Sequence, residues 1–241
     1  DSYAFAGTLW PPKLFKQTLR TELLTGRIWG FEQVISFFTV SANIRMTVVR
    51  LRNGKLWVSS PVAATGECLR LLQELGEVAH LVIPGTALEH KVSLFEFSRA
   101  FPDATVWVAP GQKFQLEQAV GRIDGILGQG SPPWQEEIAY EVFFVEPPET
   151  AGTYAETAFF HKDTQTLLVS DAVLKVPSEV PSILSSYGFE GSPGELTAEQ
   201  WYYKFIAFNF LAMRGLNQSD FAALSEPKAV VSPILRFTLY P

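Results

Sequence analysis

A single cysteine, Cys68, is all the thiol chemistry that this 241-residue chain carries. That excludes an internal disulfide and any zinc site built on paired thiolates. Cys68 falls in a helical stretch with Leu69 and Leu72 and reads as a buried thiol. Histidine is nearly as scarce: His80, His90 and His161 are the whole supply. Charged residues make up 18% of the chain and leave a net charge of −6, which argues against general nucleic-acid binding. No apolar run reaches the ~18–20 residues that a helix needs to cross a bilayer. There is no Gly-x-Ser-x-Gly elbow and no Gly-x-x-x-x-Gly-Lys phosphate loop. Gly125, Gly128 and Gly130 run into Ser131-Pro132-Pro133, which cannot open a nucleotide-binding helix. The chain starts at Asp1 with no visible signal peptide, and reads as the mature form of a targeted precursor or as a fragment.

Apolar residues, by contrast, are plentiful. A 47% hydrophobic content, 19 phenylalanines and a mean hydropathy of +0.11 describe a globular chain able to bury a large core. That load also suits a peripheral or complex-bound protein. Charge is unevenly spread. Over residues 1–50 six basic side chains face Asp1, Glu22 and Glu32, a local balance of +3, so the remainder carries −9.

Trp10-Pro11-Pro12 marks a helix start, and residues 13–25 place Leu14, Phe15, Leu19 and Leu23 among Lys13, Lys16 and Arg20. The pattern predicts a basic amphipathic helix stopped by Gly26, suited to a membrane surface or an acidic partner. The plainer alternative is a helix packed on its own domain. Residues 28–39 add Trp29, Phe31, Phe37 and Phe38. Residues 1–43 are therefore expected to form an extension dispensable for folding, with the domain proper at 44–241.

In that domain, residues 44–51 and 55–59 flank Asn53-Gly54, the strongest short hairpin signal. Thr65 caps a helix that Gly76 stops. Residues 81–83 form a strand that breaks at Pro84-Gly85; a polar turn, a helical period from Val92 to Phe101 and a strand over 105–108 follow. This is a βαβ unit with Glu89-His90-Lys91 beyond the carboxyl end of a strand, where open α/β sheets place ligands. Residues 121–133 read as a loop, and 138–145, 154–161 and 166–170 as strands, the last two joined by Lys162-Asp163-Thr164. The alternation predicts a layered α/β sandwich. The Pro-, Ser- and Gly-rich stretch 177–195 is expected to cover one face. Thr197 caps a helix to Arg214, apolar on nearly every side through Trp201, Tyr202, Phe205 and Phe208, and so a second candidate for partner binding.

The wording Leu88-Glu89-His90-Lys91, then Phe-x-Arg-x-Phe-Pro over 97–102 and Val106-Trp-Val-Ala-Pro-Gly-Gln112, resembles the domain of unknown function 4336 family. That family occurs in cyanobacteria and plastids and is a divergent branch of the metallo-β-lactamase-like group. The resemblance covers roughly residues 29–176. It implies an α/β fold, a metallo-β-lactamase-like αββα sandwich, here with an N-terminal extension. The group's His-x-His-x-Asp-His motif falls on Gly85, Ala87, Glu89 and His90. One metal site of the group would need imidazoles at Gly85, Ala87 and about Thr153, so a dinuclear zinc centre is not expected. Of the other site's four positions, Glu89, His90 and Asp171 fill three. One imidazole and two carboxylates suit a Mn, Fe or Mg ion rather than zinc. Alternatively Lys91 or a nearby arginine replaces the metal's charge, and the three residues form a buried ion-pair network. His80 and His161 read as surface or hydrogen-bonded histidines.

Two functions from different classes follow. The first is a non-enzymatic accessory or assembly subunit with a degenerate site and no cofactor. It would be bound peripherally to a membrane-embedded photosynthetic complex, photosystem or antenna, of the chloroplast thylakoid. The second is a mononuclear metal-dependent hydrolase using Glu89, His90 and Asp171.

Overall fold

Neighbouring residues of the central strands enter two different cores: Trp57, Val82 and Trp107 one, Val58, Leu81, Ile83, Val106 and Val108 the other. Period-two alternation with both faces apolar is what a sheet covered on both sides requires. The computed structural model describes residues 13–37, 40–145, 154–173 and 181–187. In chain order the elements are β1 (Lys13–Leu14), β2 (Leu19–Leu24), β3 (Ile28–Phe37), β4 (Val40–Arg50) and β5 (Leu56–Ser59). Then come α1 (Gly66–Gln73), β6 (Val78–Ile83), α2 (Leu94–Ala100), β7 (Thr105–Val108), α3 (Lys113–Val120) and β8 (Gly125–Ile126). The series ends with β9 (Ile138–Val145), β10 (Tyr154–His161), β11 (Thr166–Leu168) and α4 (Ser182–Ser185).

The large sheet has the order β1-β3-β4-β5-β6-β7-β8, with β2 also on β3. The expected hairpin is present: Val48 opposes Val58 and Arg50 opposes Leu56, around a turn in which Gly54 has φ 82°. From β5 to β8 the pairing is parallel, and β6-α2-β7 is the expected βαβ unit. Thr65 caps α1 by accepting the Cys68 N–H at 3.2 Å, and Cys68 is buried. Helices α1, α2 and α3 contribute Cys68, Leu72, Leu94, Phe97 and Leu116 to the core on one face. The opposite face packs on the second sheet, β11-β10-β9, through Ile138, Tyr140 and Phe159. The metallo-β-lactamase-like sandwich is thus met as helix, sheet and sheet among the described residues, with α4 packed over Val34 of β3.

Three expectations need correction. Residues 13–25 are strands, not a helix. Leu19, Arg20, Thr21 and Glu22 pair with Glu32, Phe31, Gly30 and Trp29. A four-residue apolar spacing fits a helix locally, but a ladder to β3 satisfies the backbone and decides the conformation. Residues 13–37 are likewise no separate extension, since β1, β2 and β3 belong to the sheet and the 43/44 boundary falls inside β4. Nor do the binding residues form one surface. Trp29 and Phe31 are core side chains at 4% and 0% exposure. Arg20 is tied to α1 through Leu71 O at 2.9 Å and Glu74 at 2.8 Å. Lys16 is exposed, whereas Lys13 and Phe37 are described only as strand backbone. Trp10, Phe38, Trp201, Tyr202, Phe205 and Phe208 lie outside the described residues, as does most of 177–195. Helix α3, ended by Gly121 at φ 81°, was not anticipated.

Deleting residues 1–43 therefore removes three strands and part of β4, and the expected product has no cooperative unfolding transition. Phe31→Ala should cost about 3–5 kcal/mol in denaturant unfolding; a loss under about 1 kcal/mol would mark Phe31 as a surface residue after all.

Candidate metal centre

β6 delivers the chain to Pro84-Gly85, and the following loop is pinned from two sides. Ala109 N donates to Ile83 O at 2.8 Å, holding the ends of β6 and β7 together. Thr86 N donates to Ala155 O at 3.0 Å, and Ala155 N returns a bond to Thr86 Oγ1 at 3.2 Å. So fixed, a single 3-10 turn at Leu88–His90 presents Glu89 and His90 to the end of β11, where Asp171 emerges. His90 Nε2 stands 3.1 Å from Asp171 Oδ1, with the two side chains 12% and 32% exposed. One donor atom from each of Glu89, His90 and Asp171 lies within 4.8 Å of the others. The three residues singled out from the sequence do meet.

A fourth group was missed. Glu156 of β10 is 3% exposed, and its Oε1 accepts the N–H groups of Ser170 and Asp171, both at 3.2 Å. Its other oxygen faces Gly85, where an added Cβ would stand 2.5 Å from Oε2 and 2.9 Å from Ala155 O. No side chain can enter there, least of all a histidine. Of the positions where the resemblance would put imidazoles, Gly85 is packed against a carboxylate and about Thr153 lies outside the described residues. Among the described residues, the three donors at this centre would hold one ion. The signal for Glu156 was a carboxylate in the middle of an otherwise apolar strand.

Lys91 acts on Glu89 by its charge but is not in direct contact with the cluster. Its Nζ donates to Thr86 O at 2.8 Å and approaches Gln112 Oε1 at 3.4 Å, while Gln112 Nε2 donates to Gly85 O at 2.9 Å. Among the described residues it makes no ion pair with Glu89 or Asp171.

The family model described as Domain of unknown function (DUF4336) matches residues 25–200. This chain belongs to that family. No curated protein matches the sequence. Among solved structures, a metallo-beta-lactamase from Pontibacter korlensis is 13% identical, with a TM-score of 0.49 over 68% of this chain and 76% of its own. The 1–254 fragment of a Nostoc sp. PCC 7120 protein named diflavin flavoprotein A 5 is 12% identical, with a TM-score of 0.45 over 73% and 74%.

Electrostatics in the DUF4336 site follow from one imidazole among three carboxylates. Burial works against a charged His90, but Asp171, by charge and hydrogen bond, and then Glu89 and Glu156 outweigh it and raise His90 to about 9. Burial also opposes the Asp171 charge, yet His90 keeps that carboxylate below its usual range. Burial raises Glu89, and burial together with the Asp171 charge lifts Glu156 to about 7. Lys91 is lowered by burial. The remaining histidines are hydrogen-bonded, as expected: His80, inside β6, meets Thr105 Oγ1 at 2.8 Å, and His161 meets Thr164 Oγ1 at 2.7 Å.

Two outcomes are expected. Gly85→Ala forces Glu156 aside and should destabilise by about 1–3 kcal/mol in denaturant unfolding. In chelator, both raised groups favour proton uptake by the folded state, so the stability each contributes is lost as pH climbs, against the opposite contribution of the depressed His80 and His161. The Glu156 share, on the order of 3 kcal/mol, is lost between pH 4.5, its ordinary value, and about 7. That of His90 is lost between 6.5 and about 9. Measured against Glu156→Gln, the stability advantage of the parent protein should therefore shrink from pH 4.5 to about 7. A difference in urea midpoints between the two proteins that does not change over that range would contradict this account.

Proposed function

We propose that this DUF4336 domain is a mononuclear metal-dependent hydrolase, taking one Mn, Fe or Mg ion at Glu89, His90 and Asp171. The observation that carries the proposal is the convergence of these three donors within 4.8 Å, from two separate loops at the carboxyl ends of strands. An imidazole with two carboxylates is a hard, oxygen-rich donor set suited to such an ion. When bound, such an ion lowers the pKa of water and polarises a substrate oxygen. The chain's own residues supply the rest. Glu156 orients Asp171 by holding its backbone N–H, and its carboxyl can hold or release a proton near neutral pH. Lys91, anchored on Thr86 O, sets a cation beside the loop that carries Glu89 and His90.

A second reading, an accessory subunit peripheral to a thylakoid photosynthetic complex, has support from a different observation. Phe143, Phe144, Val145, Phe160 and Leu167 of the small sheet are 38–60% exposed, more apolar surface than solvent alone favours. No helix among the described residues is long and apolar enough to cross a membrane, in keeping with peripheral attachment.

Elemental analysis of the purified chain tests the first reading. About one equivalent of Mn, Fe or Mg is expected, lost in His90→Ala together with metal-stimulated hydrolysis of chromogenic ester or phosphodiester substrates. Absence of bound metal after incubation with all three ions would reject it. Membrane co-fractionation that survives His90→Ala but is lost in Phe143→Ser/Phe160→Ser would favour the second.

A further inference from the structure

β10 runs away from the centre just described and ends at His161, five residues beyond Glu156 and roughly 17 Å along the strand. There Glu137, just before β9, and Asp163, in the β10–β11 turn, approach the histidine. One donor atom from each of the three lies within 4.8 Å of the others. The sheet enforces this proximity: Ile138 pairs with His161, and Lys162 N donates to Glu137 O at 2.9 Å.

Hydrogen bonds next to the ring accommodate one tautomer in full. Thr166 Oγ1 donates to Thr164 O at 3.2 Å and lies 2.9 Å from Thr164 Oγ1, which in turn is 2.7 Å from His161 Nδ1. A proton on Nδ1 satisfies all three contacts at once, and in that tautomer Nε2 holds the lone pair. His161 is 0% exposed, and Nε2 is buried with no hydrogen-bond partner. A neutral imidazole oriented through one nitrogen, with the other bare, is the form in which histidine binds metals. With Nδ1 engaged by Thr164, Nε2 is the nitrogen left without a partner.

Arg52 is the competing cation. Its Nε donates to Asp163 Oδ2 at 2.8 Å and its Nη2 to Oδ1, while its backbone N–H donates to Glu137 Oε2 at 2.7 Å. Glu137 has no ion-pair partner among the described residues. The guanidinium is committed to the Asp163 carboxylate, while Glu137 accepts the Arg52 backbone N–H and the His161 Nε2 has no partner.

We propose that Glu137, His161 and Asp163 form a second cation site for Zn²⁺, distinct from the Glu89–His90–Asp171 centre. An imidazole nitrogen with two carboxylate oxygens is a donor set that zinc accepts. Occupancy requires Arg52 to yield an Asp163 oxygen, so the arginine gates the site and the metal clips the start of β9 to the β10–β11 turn.

Zinc alone, titrated calorimetrically into the full-length His90→Ala protein, tests this without relying on the first centre. One saturable equivalent is expected, with a rise in unfolding temperature. His161→Ala in that background should weaken binding at least tenfold. Arg52→Ala should tighten it severalfold, because the competing guanidinium is gone. Asp163→Asn, at an exposed turn, should weaken binding comparably and serves if the His161 variant does not fold. In the His90→Ala protein, zinc should also shift the His161 Nε2 nitrogen resonance while Nδ1 keeps its proton. Absence of saturable zinc binding, or binding indifferent to both His161→Ala and Asp163→Asn, would overturn the assignment. Failure of the first centre to take Mn, Fe or Mg would leave these outcomes untouched.

Discussion

Trp57, Trp107 and Trp134 stand between the two sheets, with Phe159 and Tyr140 of the smaller sheet against them. Trp57 lies 4.9 Å from Phe159 and 5.6 Å from Trp134, ring edge to ring face, and Trp134 is 5.9 Å from Phe159. Each such pair contributes about 0.5–1.5 kcal/mol beyond its buried area. The positional consequence matters more. Glu156 and Asp171 belong to the small sheet and its exit, whereas Glu89 and His90 follow β6 of the large one. Only the packing of one sheet on the other brings those carboxylates to that imidazole. Within the large sheet the Trp107 ring lies over Gly125 of the neighbouring β8, where a Cβ would stand 2.3 Å from it. The site is a property of the sheet interface, not of any one loop.

The same interface sets the electrostatics. Polar groups cannot remain between two apolar sheet faces, so they collect where strands end, and there several carboxylates crowd one histidine. Desolvation alone would discharge them all. It raises the carboxyls of Glu89 and Glu156, whereas Asp171, in direct hydrogen-bond contact with His90, is held below its usual range. Chemically similar acids are thus driven apart by a few ångströms of placement, the arrangement by which sites separate a ligand from a proton carrier. Glu156 reinforces the difference by spending its Oε1 on two backbone N–H groups rather than on the imidazole.

What could be read from the sequence was what local chemistry decides. Asn53-Gly54 specifies its hairpin within seven residues, and Thr65 caps α1 three residues from the N–H it accepts. The βαβ unit and Glu89-His90 beyond its first strand are legible from the residue pattern, Asp171 comes with the resemblance to a known family, and the fold brings the three side chains together. Residues 13–25 misled because their apolar spacing satisfies a helix, while the partner that makes them strands, β3, is recognised only through pairing. Trp29 and Phe31 misled in the same way: large aromatics mark a core and an interface alike, and burial alone separates them. Glu156 was passed over because attention fell on titratable groups at strand ends, whereas its carboxylate lies inside a strand and reaches the site from the side. For His161 the sequence supported hydrogen bonding, which is correct, but a lone pair left over after Thr164 and Thr166 are satisfied cannot be read from residue types.

Gly85 and Glu156 together explain why no imidazole stands at position 85. A histidine at 85 and a carboxylate at 156 compete for the same volume, so introducing the histidine is at least a two-residue change. Between such alternatives lies a chain with a clash or with a cavity beside a buried acid, and each costs kilocalories that a marginally stable domain lacks. Gly85 is therefore not an unfilled gap. The space beside it is occupied, and the occupant holds Asp171 in place by its backbone.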